Sequence, residues 1–302
     1  MPTLGIAPEN TVFISGIGCS SRFPYYMNTY GMHSIHGRAP AIATGLAVAR
    51  PDLDVWVVTG DGDGLSIGGN HMIHALRRNI NLKILLFNNR IYGLTKGQYS
   101  PTSELGKVTK SSPLGSIDPP FNPLALALGA EAGFVARTHD LDRKHMMATF
   151  EAAHNHDGAS FVEIYQNCNV FNDGQYNDIT KRNARDEMMI NLVHGEPVLF
   201  GTDQHRGVMM GDDGYLRLVE VADVGIDRIL VHDAHNNFPS LGFALARLNT
   251  DDHSPTPFGI FRDVKRPEYT SAVTDQVDKA IDARGPGDLG DLLRSLGTWM
   301  VD

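Results

Sequence analysis

Cysteine is scarce in this sequence, with two among 302 residues, and no hydrophobic run approaches the length of a membrane span. Two cysteines exclude the disulfide framework that stabilises many small secreted domains. The opening stretch, 1–10, lacks the basic and apolar regions of a secretory signal. We therefore expect a cytoplasmic protein with no membrane partner.

Basic residues are also in short supply, since 26 Lys and Arg against 35 Asp and Glu give a formal charge of −9. A protein that binds nucleic acid needs a basic surface to neutralise phosphates, so the composition argues against such a partner. The remaining composition, 42% hydrophobic and 20% charged, is that of a globular protein with ample core for one large domain or two smaller ones.

Short apolar runs alternate with helical patterns in the first half of the chain. Strands are predicted at 11–14, 55–58, 82–87 and 161–165, and helices at 39–50, 65–76, 122–130 and 140–156. This alternation predicts an α/β fold, a parallel sheet with helices on both faces. Ligands of such sheets bind beyond the carboxyl ends of the strands.

Two polar stretches mark the organisation of the chain. Residues 92–120 are rich in Gly, Ser, Thr, Pro and Lys, and a connection of that length in a compact domain is typically functional or disordered. Residues 172–185 are predicted to end a main domain, 1–185, and residues 186–302 to form a smaller α/β extension. In that extension strands are predicted at 197–201, 216–221, 229–232 and 258–261, and a helix at 240–248.

Two glycine-rich turns follow strands, as they do in dinucleotide-binding folds. The turn at 60–64 is followed by Leu65 where that motif needs a third Gly or Ala, and the turn at 16–21 has Ser21 at the same point. No acidic residue follows at the distance of about 20 residues that holds the ribose. A Rossmann site is therefore excluded.

The Gly-Asp-Gly motif at 60–62 and the Asn-Asn pair at 88–89 fit each other better. Each closes a buried strand, so a parallel unit would bring Asp61 and Asn89 to neighbouring strand ends. Two oxygen ligands suit Mg²⁺, which also takes phosphate oxygens. Gly62 would let a diphosphate approach the backbone, and a helix predicted to begin at Leu65 offers unpaired N–H groups. Either motif alone reads as a turn; together they predict a metal-bound diphosphate.

These two motifs resemble those of the diphosphate-binding domain of thiamine-diphosphate enzymes. The flanking segments SGIGCSSR (15–22), HSIHGR (33–38), GDGD (60–63) and NNRIYGLTKGQYSPTS (88–103) narrow the resemblance. Together, over about residues 10–175, they resemble the β subunit of 2-oxoacid:ferredoxin oxidoreductases, and most of all the 2-oxoglutarate type. The C-terminal extension resembles that of the same subunits through weaker motifs.

The resemblance implies a role for each matched position. Asp61 and Asn89 would bind Mg²⁺ through their side chains and Ile91 through its carbonyl. The residues that would hold the diphosphate are Gly62, Asp63, Gly93, Leu94 and Thr95. Those that would surround the thiazolium end are Gly18, Cys19, Ser20, His36 and Gly37.

Arg22 and His36 are the predicted catalytic residues. Arg22 falls where the family keeps a basic residue near the substrate carboxylate, and Arg can hold a carboxylate with two hydrogen bonds. The alternative for Arg22 is a solvated surface charge. The histidine pairs at 33 and 36 and at 71 and 74 have no third ligand at metal-binding spacing, so only His36 is given a role, from its family position.

Electron-transferring members of the family hold a [4Fe-4S] cluster with four cysteines. Cys19 and Cys168 match two of them, whereas the N-terminal Cys-Pro-x-Cys-Gly motif is absent from this sequence. We expect that the sequence begins after that motif, rather than that the protein has lost the cluster. As given, the chain is expected not to hold a stable cluster, and the plain alternative is two buried thiols.

The resemblance implies oxidative decarboxylation of a 2-oxoacid to an acyl-coenzyme A, succinyl-CoA for 2-oxoglutarate, with electrons passing to ferredoxin. Thiamine diphosphate carries that chemistry. Only one half-site is present, so an α subunit is expected as an obligate partner and the chain alone is expected to be inactive. Two alternatives stay open: a non-oxidative thiamine-dependent decarboxylase or carboligase subunit, and a non-catalytic nucleotide- or metal-binding module.

Overall fold

A computed structural model of the chain describes residues 4–248 and 254–301. Its strands are β1 Thr11–Ser15, β2 Tyr30–His33, β3 Asp54–Gly60, β4 Lys83–Asn88, β5 Phe134–His139, β6 Ser160–Tyr165, β7 Met189–Leu192, β8 Leu199–Phe200, β9 Arg206–Met210, β10 Leu216–Glu220 and β11 Thr256–Asp263. Its helices are α1 Phe23–Tyr26, α2 Ala39–Ala49, α3 Asp61–Leu65, α4 Gly69–Arg77, α5 Pro123–Gly129, α6 Arg143–Asn155, α7 Asn177–Thr180, α8 Arg185–Met188, α9 Val221–Val224, α10 Ser240–Ala246, α11 Tyr269–Arg284 and α12 Leu289–Arg294.

Eight strands form one sheet in the order β2-β1-β3-β4-β6-β5-β11-β7. Strands β1 to β6 run parallel to one another, whereas β11 is antiparallel to β5 and parallel to β7. A smaller antiparallel sheet, β10-β9-β8, lies apart from it. Both sides of residue 185 contribute strands to the large sheet, because β7 and β11 come from the segment after it.

Helices cover both faces of the large sheet, as the α/β prediction requires. In β3 the side chains alternate: Val55 and Val57 pack in the core that contains α2, α4 and α5, while Trp56 and Val58 pack against α6 on the opposite face. Every residue of β3 between its two ends is buried, which explains why its sequence is a continuous apolar run. The predicted fold class is confirmed.

The predicted helix 65–76 is wrong in its start and its continuity. A helix already begins at Asp61, and it ends before a second helix begins at Gly69. The break has a packing cause: a Cβ on Gly68 would lie 2.6 Å from the Asp63 carbonyl oxygen and 3.0 Å from the Cα of Gly37. The chain bends there to let the loop that carries Gly37 approach.

The predicted strand 229–232 is also not formed as a strand. Val231 makes a single bridge to Pro197, and a proline has no N–H with which to extend a ladder. The elements that were not predicted are strands β2, β5, β7 and β9, the four-residue helices α1, α7, α8 and α9, and helices α11 and α12. In the described part of the chain, no helix is both long and apolar enough to span a membrane.

Candidate functional site

A cleft opens beyond the carboxyl ends of β1, β3 and β4, where the turn after β1, helix α3 and the segment after β4 meet. It is lined by Ile17, Gly18, Cys19, Ser20, His36, Gly60, Asp61, Gly62, Asp63, Phe87, Asn89, Ile91, Tyr92, Gly93, Leu94 and Thr95. The structure therefore brings together the predicted metal and cofactor residues, apart from Gly37 and Cys168, which are not in its wall. Their individual roles stay predictions.

Asp63 joins the walls of this cleft. It is buried, and its Oδ1 accepts hydrogen bonds from the backbone N–H groups of Ile17 (3.1 Å) and Gly37 (2.8 Å) and lies 3.1 Å from Nδ1 of His36. Its Oδ2 accepts from the Thr59 hydroxyl at 2.7 Å. Both carboxylate oxygens are thus engaged by the protein. Asp63 fixes the turn after β1 and the loop at 36–37 relative to α3.

Glycine is required at two positions in and beside the cleft. A Cβ on Gly62 would lie 2.2 Å from the ring of Tyr92, whose hydroxyl donates to the Gly62 carbonyl at 2.9 Å. Gly37 has a φ of +67°, and a Cβ there would lie 2.4 Å from the Gly68 nitrogen. These glycines let three backbone segments meet closely at the place where a diphosphate would need backbone N–H groups.

Asp61, the first residue of α3, is a buried carboxylate without a cationic partner in the described chain. Its Oδ2 accepts hydrogen bonds from the hydroxyls of Ser100 (2.5 Å) and Thr102 (2.6 Å), and burial raises the pKa of the carboxyl. A buried anion held only by neutral donors is costly, and a divalent cation would supply the missing charge. The acid is therefore suited to a metal.

The neighbouring donors fit magnesium. Asn89 and Ile91 lie in the same cleft wall as Asp61, and carboxylate, amide and carbonyl oxygens are the hard ligands that Mg²⁺ takes. No group of three or more His, Cys, Asp or Glu side chains suited to a metal occurs among the described residues. A site built on a carboxylate, an amide and a carbonyl would not need such a group.

A buried polar chain runs from Asp61 to the interior of the sheet, and the sequence did not predict it. Thr102 Oγ1 lies 2.9 Å from Asn88 Oδ1, and Asn88 Nδ2 donates to Glu163 Oε1 at 2.7 Å. Glu163 Oε2 accepts from Arg137 Nε at 2.7 Å, and both charged side chains are at most 2% exposed. We call these residues, Asp61, Thr102, Asn88, Glu163 and Arg137, the buried polar chain. The sequence signal that could have revealed it is the charged residue in each of two strands, Arg137 in β5 and Glu163 in β6.

The two cysteines meet beside Gly93. A Cβ on Gly93 would lie 3.0 Å from Sγ of Cys19 and 3.9 Å from Sγ of Cys168, although the cysteines are far apart in sequence. Burial, and after it the neighbouring Cys168, raises the pKa of the Cys19 thiol. The chain thus supplies two of the four thiolates that a [4Fe-4S] cluster uses. A complete ligand set is not present in this sequence.

The two predicted catalytic residues are exposed. His36 lines the cleft with its side chain 45% accessible. Arg22 ends a short 3-10 helix, Ser20–Arg22, and its side chain is exposed outside the cleft wall. Arg22 is nevertheless close to the predicted cofactor-binding residues, because Cys19 and Ser20 belong to the same turn and line the cleft.

Three comparisons with known proteins agree with this geometry. Residues 16–164 match the family described as thiamine pyrophosphate enzyme, C-terminal TPP binding domain. The chain is 59% identical, over an alignment of 304 residues that covers all of it and 81% of the relative, to 2-oxoglutarate oxidoreductase subunit KorB of Mycobacterium tuberculosis. It is 45% identical over 170 residues, 56% of this chain and 54% of the relative, to the β subunit of 2-oxoacid:ferredoxin oxidoreductase 1 of Aeropyrum pernix.

A solved structure extends the similarity to the whole fold. The 2-oxoglutarate:ferredoxin oxidoreductase from Magnetococcus marinus, solved with 2-oxoglutarate, coenzyme A and succinyl-CoA bound, superposes with a TM-score of 0.75 at 32% identity. The match covers 98% of this chain and 86% of that one. Sequence over the full length, domain and fold all point the same way: the chain belongs to the β-subunit family of the thiamine-diphosphate-dependent 2-oxoacid:ferredoxin oxidoreductases.

Proposed function

We propose that this chain is the cofactor-binding subunit of an enzyme that oxidatively decarboxylates 2-oxoglutarate to succinyl-CoA and passes the electrons to ferredoxin. The observation that carries the proposal is the buried Asp61 carboxylate, which has no countercharge among the described residues and lines a cleft walled by Asn89, Ile91 and glycine-rich turns. Thiamine diphosphate, when bound, supplies the electron sink for decarboxylation.

Different residues of this chain would bind the metal and the diphosphate of the cofactor. Asp61 and Asn89 would bind Mg²⁺ by side chain and Ile91 by its carbonyl, while the backbone at Gly62 and Gly93 to Thr95 would face the diphosphate. Asp63, with both oxygens in use by the protein, would act through the loops it holds, because a second free carboxylate would repel the diphosphate.

Arg22 and His36 would act at the reacting end. An arginine can fix the carboxylate of a 2-oxoacid by charge-assisted hydrogen bonds. His36 is oriented by its 3.1 Å contact with Asp63, which leaves the other ring nitrogen available toward the cleft. The choice of 2-oxoglutarate rests on the relatives, because the M. tuberculosis and M. marinus proteins are both named for that substrate.

An α subunit is the partner that a β subunit of this family implies. Large apolar side chains near the cleft are exposed, including Tyr25 (73%), Ile35 (69%), Tyr30 (66%) and Leu94 (58%). Such a concentration of exposed apolar groups is typical of an interaction surface. We propose that the α subunit covers it and completes the active site, so that the chain alone is inactive.

The test is to purify this chain together with its α subunit and to assay reduction of ferredoxin with 2-oxoglutarate and coenzyme A. We expect reduction that requires both subunits, coenzyme A, Mg²⁺ and thiamine diphosphate, and that is faster with 2-oxoglutarate than with pyruvate. Release of CO₂ without acceptor reduction would favour a non-oxidative decarboxylase instead. Absence of any thiamine diphosphate binding would favour a non-catalytic module.

The same preparation tests the two cysteines. We propose that Cys19 and Cys168 bind iron together with thiolates from outside this sequence, so a heteromer that shows iron–sulfur absorbance should lose it in Cys19→Ser or Cys168→Ser. The chain as given, supplied anaerobically with iron and sulfide, should remain essentially colourless, because two thiolates do not complete a cubane site. Absorbance indifferent to both substitutions would show that the two cysteines are free thiols with no role in binding iron.

A further inference from the structure

A second cavity of about 540 Å³ lies beneath the long polar connection, at the carboxyl ends of β4, β5 and β6. None of the residues that line it also lines the cofactor cleft. Its volume is within the range of small-molecule sites, about 300–1,000 Å³. We propose that this cavity is a second binding site of the subunit and that it takes a small organic anion carrying an apolar group.

The floor of this second cavity is built from buried polar side chains. Arg137 is 1% exposed and forms part of the wall. Its Nε donates to Glu163 at 2.7 Å and its Nη1 to the Pro257 carbonyl at 3.2 Å, whereas its Nη2 has no hydrogen-bond partner in the described residues. A buried guanidinium with an unused N–H at a cavity wall is a ready donor for an anion.

The charges around the cavity leave a positive excess. Glu163 is paired with Arg137, and Glu104 accepts from Lys107 at 2.8 Å through Oε1, while its Oε2 is buried and has no hydrogen-bond partner among the described residues. Arg247, on the rim, is exposed and makes no ion pair with any residue of 4–248 or 254–301. Arg90 lines the cavity as well, so three arginines and two carboxylates stand in its wall, a formal excess of one positive charge.

Apolar side chains also line the cavity. Leu105 is 64% and Phe121 44% exposed, and Pro120 lies beside Phe121 in the same wall. Exposed apolar side chains that face a polar floor would cover the carbon part of a ligand whose anionic group reaches the arginines. This arrangement distinguishes an organic anion from inorganic phosphate, which would use the cations alone.

Calorimetry on the assembled heteromer, saturated with thiamine diphosphate and Mg²⁺, tests the proposal with phenyl phosphate as the probe and inorganic phosphate beside it. We expect phenyl phosphate to bind and inorganic phosphate to bind more weakly. Arg247→Ala should weaken phenyl phosphate binding by about tenfold or more, the worth of a charge-assisted hydrogen bond. Leu105→Trp should fill the rim and weaken it as well.

Matched variants separate the cavity from other sites. Arg228→Ala removes an exposed arginine elsewhere, and Leu114→Trp places tryptophan at a fully exposed position of the same connection; both should bind the probe as the unmodified protein does. Arg22→Ala should also leave binding unchanged, since the substrate site would not be involved. The proposal is overturned if millimolar phenyl phosphate does not bind, if Arg247→Ala and Leu105→Trp bind normally, or if Arg22→Ala abolishes binding.

Discussion

The two sides of the cofactor cleft are built differently. On the side of Asp61 the polar groups are buried and bonded to one another in the buried polar chain that ends at Arg137. On the other side the two predicted catalytic residues, Arg22 and His36, are exposed and stand among exposed aromatic and aliphatic side chains. The residues on the side of Asp61 are fixed by contacts within this chain, whereas the side chains of Arg22 and His36 are largely exposed.

The difference indicates which part of the function resides in this subunit. A metal ligand must be fixed to a few tenths of an ångström, and buried hydrogen-bonded neighbours give that rigidity. Exposed residues such as Arg22 have few contacts to fix them, so a second surface is needed to complete their surroundings. The proposed α subunit would supply it. Substitutions on the buried side are therefore expected to change cofactor affinity and stability strongly. Substitutions on the exposed side are expected to have smaller effects, confined to the KM for the substrate.

The largest effect is expected from Asp61→Ala. It removes the only charged group among the predicted metal ligands, so Mg²⁺-dependent binding of thiamine diphosphate should weaken by roughly 100-fold or more, beyond the 10- to 100-fold typical of a lost outer partner. Titration calorimetry of the heteromer measures it, with the exposed Asp227→Ala as control. Unchanged affinity in Asp61→Ala would remove the metal site from this cleft.

Glu163→Gln is expected to act on the fold. It leaves the guanidinium of Arg137 buried without its counter-ion, which costs about 3–5 kcal/mol for a buried pair. Urea unfolding of the heteromer measures the loss. The double variant Arg137→Met, Glu163→Leu removes both charges and should recover much of it. If the Arg137–Glu163 pair also positions Asp61 through the buried polar chain, the double variant should bind Mg²⁺ more weakly although it is folded. If the pair only stabilises the fold, the Mg²⁺ affinity of the double variant should be normal.

The sequence predicted the cleft because its signals are local. The apolar runs at 55–58 and 82–87 identify adjacent parallel strands, and adjacency places Asp61 near Asn89 regardless of the rest of the fold. The Gly-Asp-Gly segment was predicted as a loop, but it is the first turn of α3. Glycine disfavours the helical conformation, so this turn depends on tertiary contacts such as the hydrogen bonds of Asp63. Helix propensities of single residues do not include such contacts.

Strands that lack a continuous apolar run were not predicted from the sequence. Strand β5 carries Arg137 and His139 at buried positions, and periodicity alone does not identify a strand that has polar residues in its buried interior. Arg137 is paired with Glu163 of β6, a contact that only the fold shows. Strand β2 is an exposed edge strand of four residues that contains a glycine, so neither burial nor length marks it in the sequence. The buried polar chain joins residues from three strands, a loop and the start of helix α3, so only the folded arrangement reveals it.

Arg22→Ala tests the open side of the cleft. Loss of a charge-assisted contact worth about 1.5–3 kcal/mol should raise the KM for 2-oxoglutarate roughly ten- to hundredfold. Thiamine diphosphate affinity should change little, and the exposed Arg78→Ala should change neither. Steady-state kinetics and calorimetry on the same heteromer separate the two quantities. An equal loss of cofactor affinity would instead place Arg22 at the diphosphate.

The smallest effect is expected from Asp61→Asn in the protein without metal. Because burial raises the pKa of Asp61, the folded chain keeps that proton to higher pH than the unfolded chain does. The stabilising contribution is therefore fully present below the ordinary carboxyl pKa, about 3.9, and is lost as pH rises through the folded-state pKa. Asparagine has no proton to lose, and its amide oxygen can still accept from Ser100 or Thr102.

At neutral pH and in the presence of a chelator, the Asn variant should therefore have the higher Tm, by roughly 2–4 °C, which corresponds to ~1 kcal/mol in a domain of about this size. The difference should shrink as the pH is lowered and reverse when Mg²⁺ and thiamine diphosphate are added, because only the carboxylate binds the metal well. Scanning calorimetry from acid to neutral pH measures both trends. Identical pH dependence of the two proteins would show that the Asp61 charge is already compensated, and the difference between the two sides of the cleft would then lie in packing rather than in an unmatched charge.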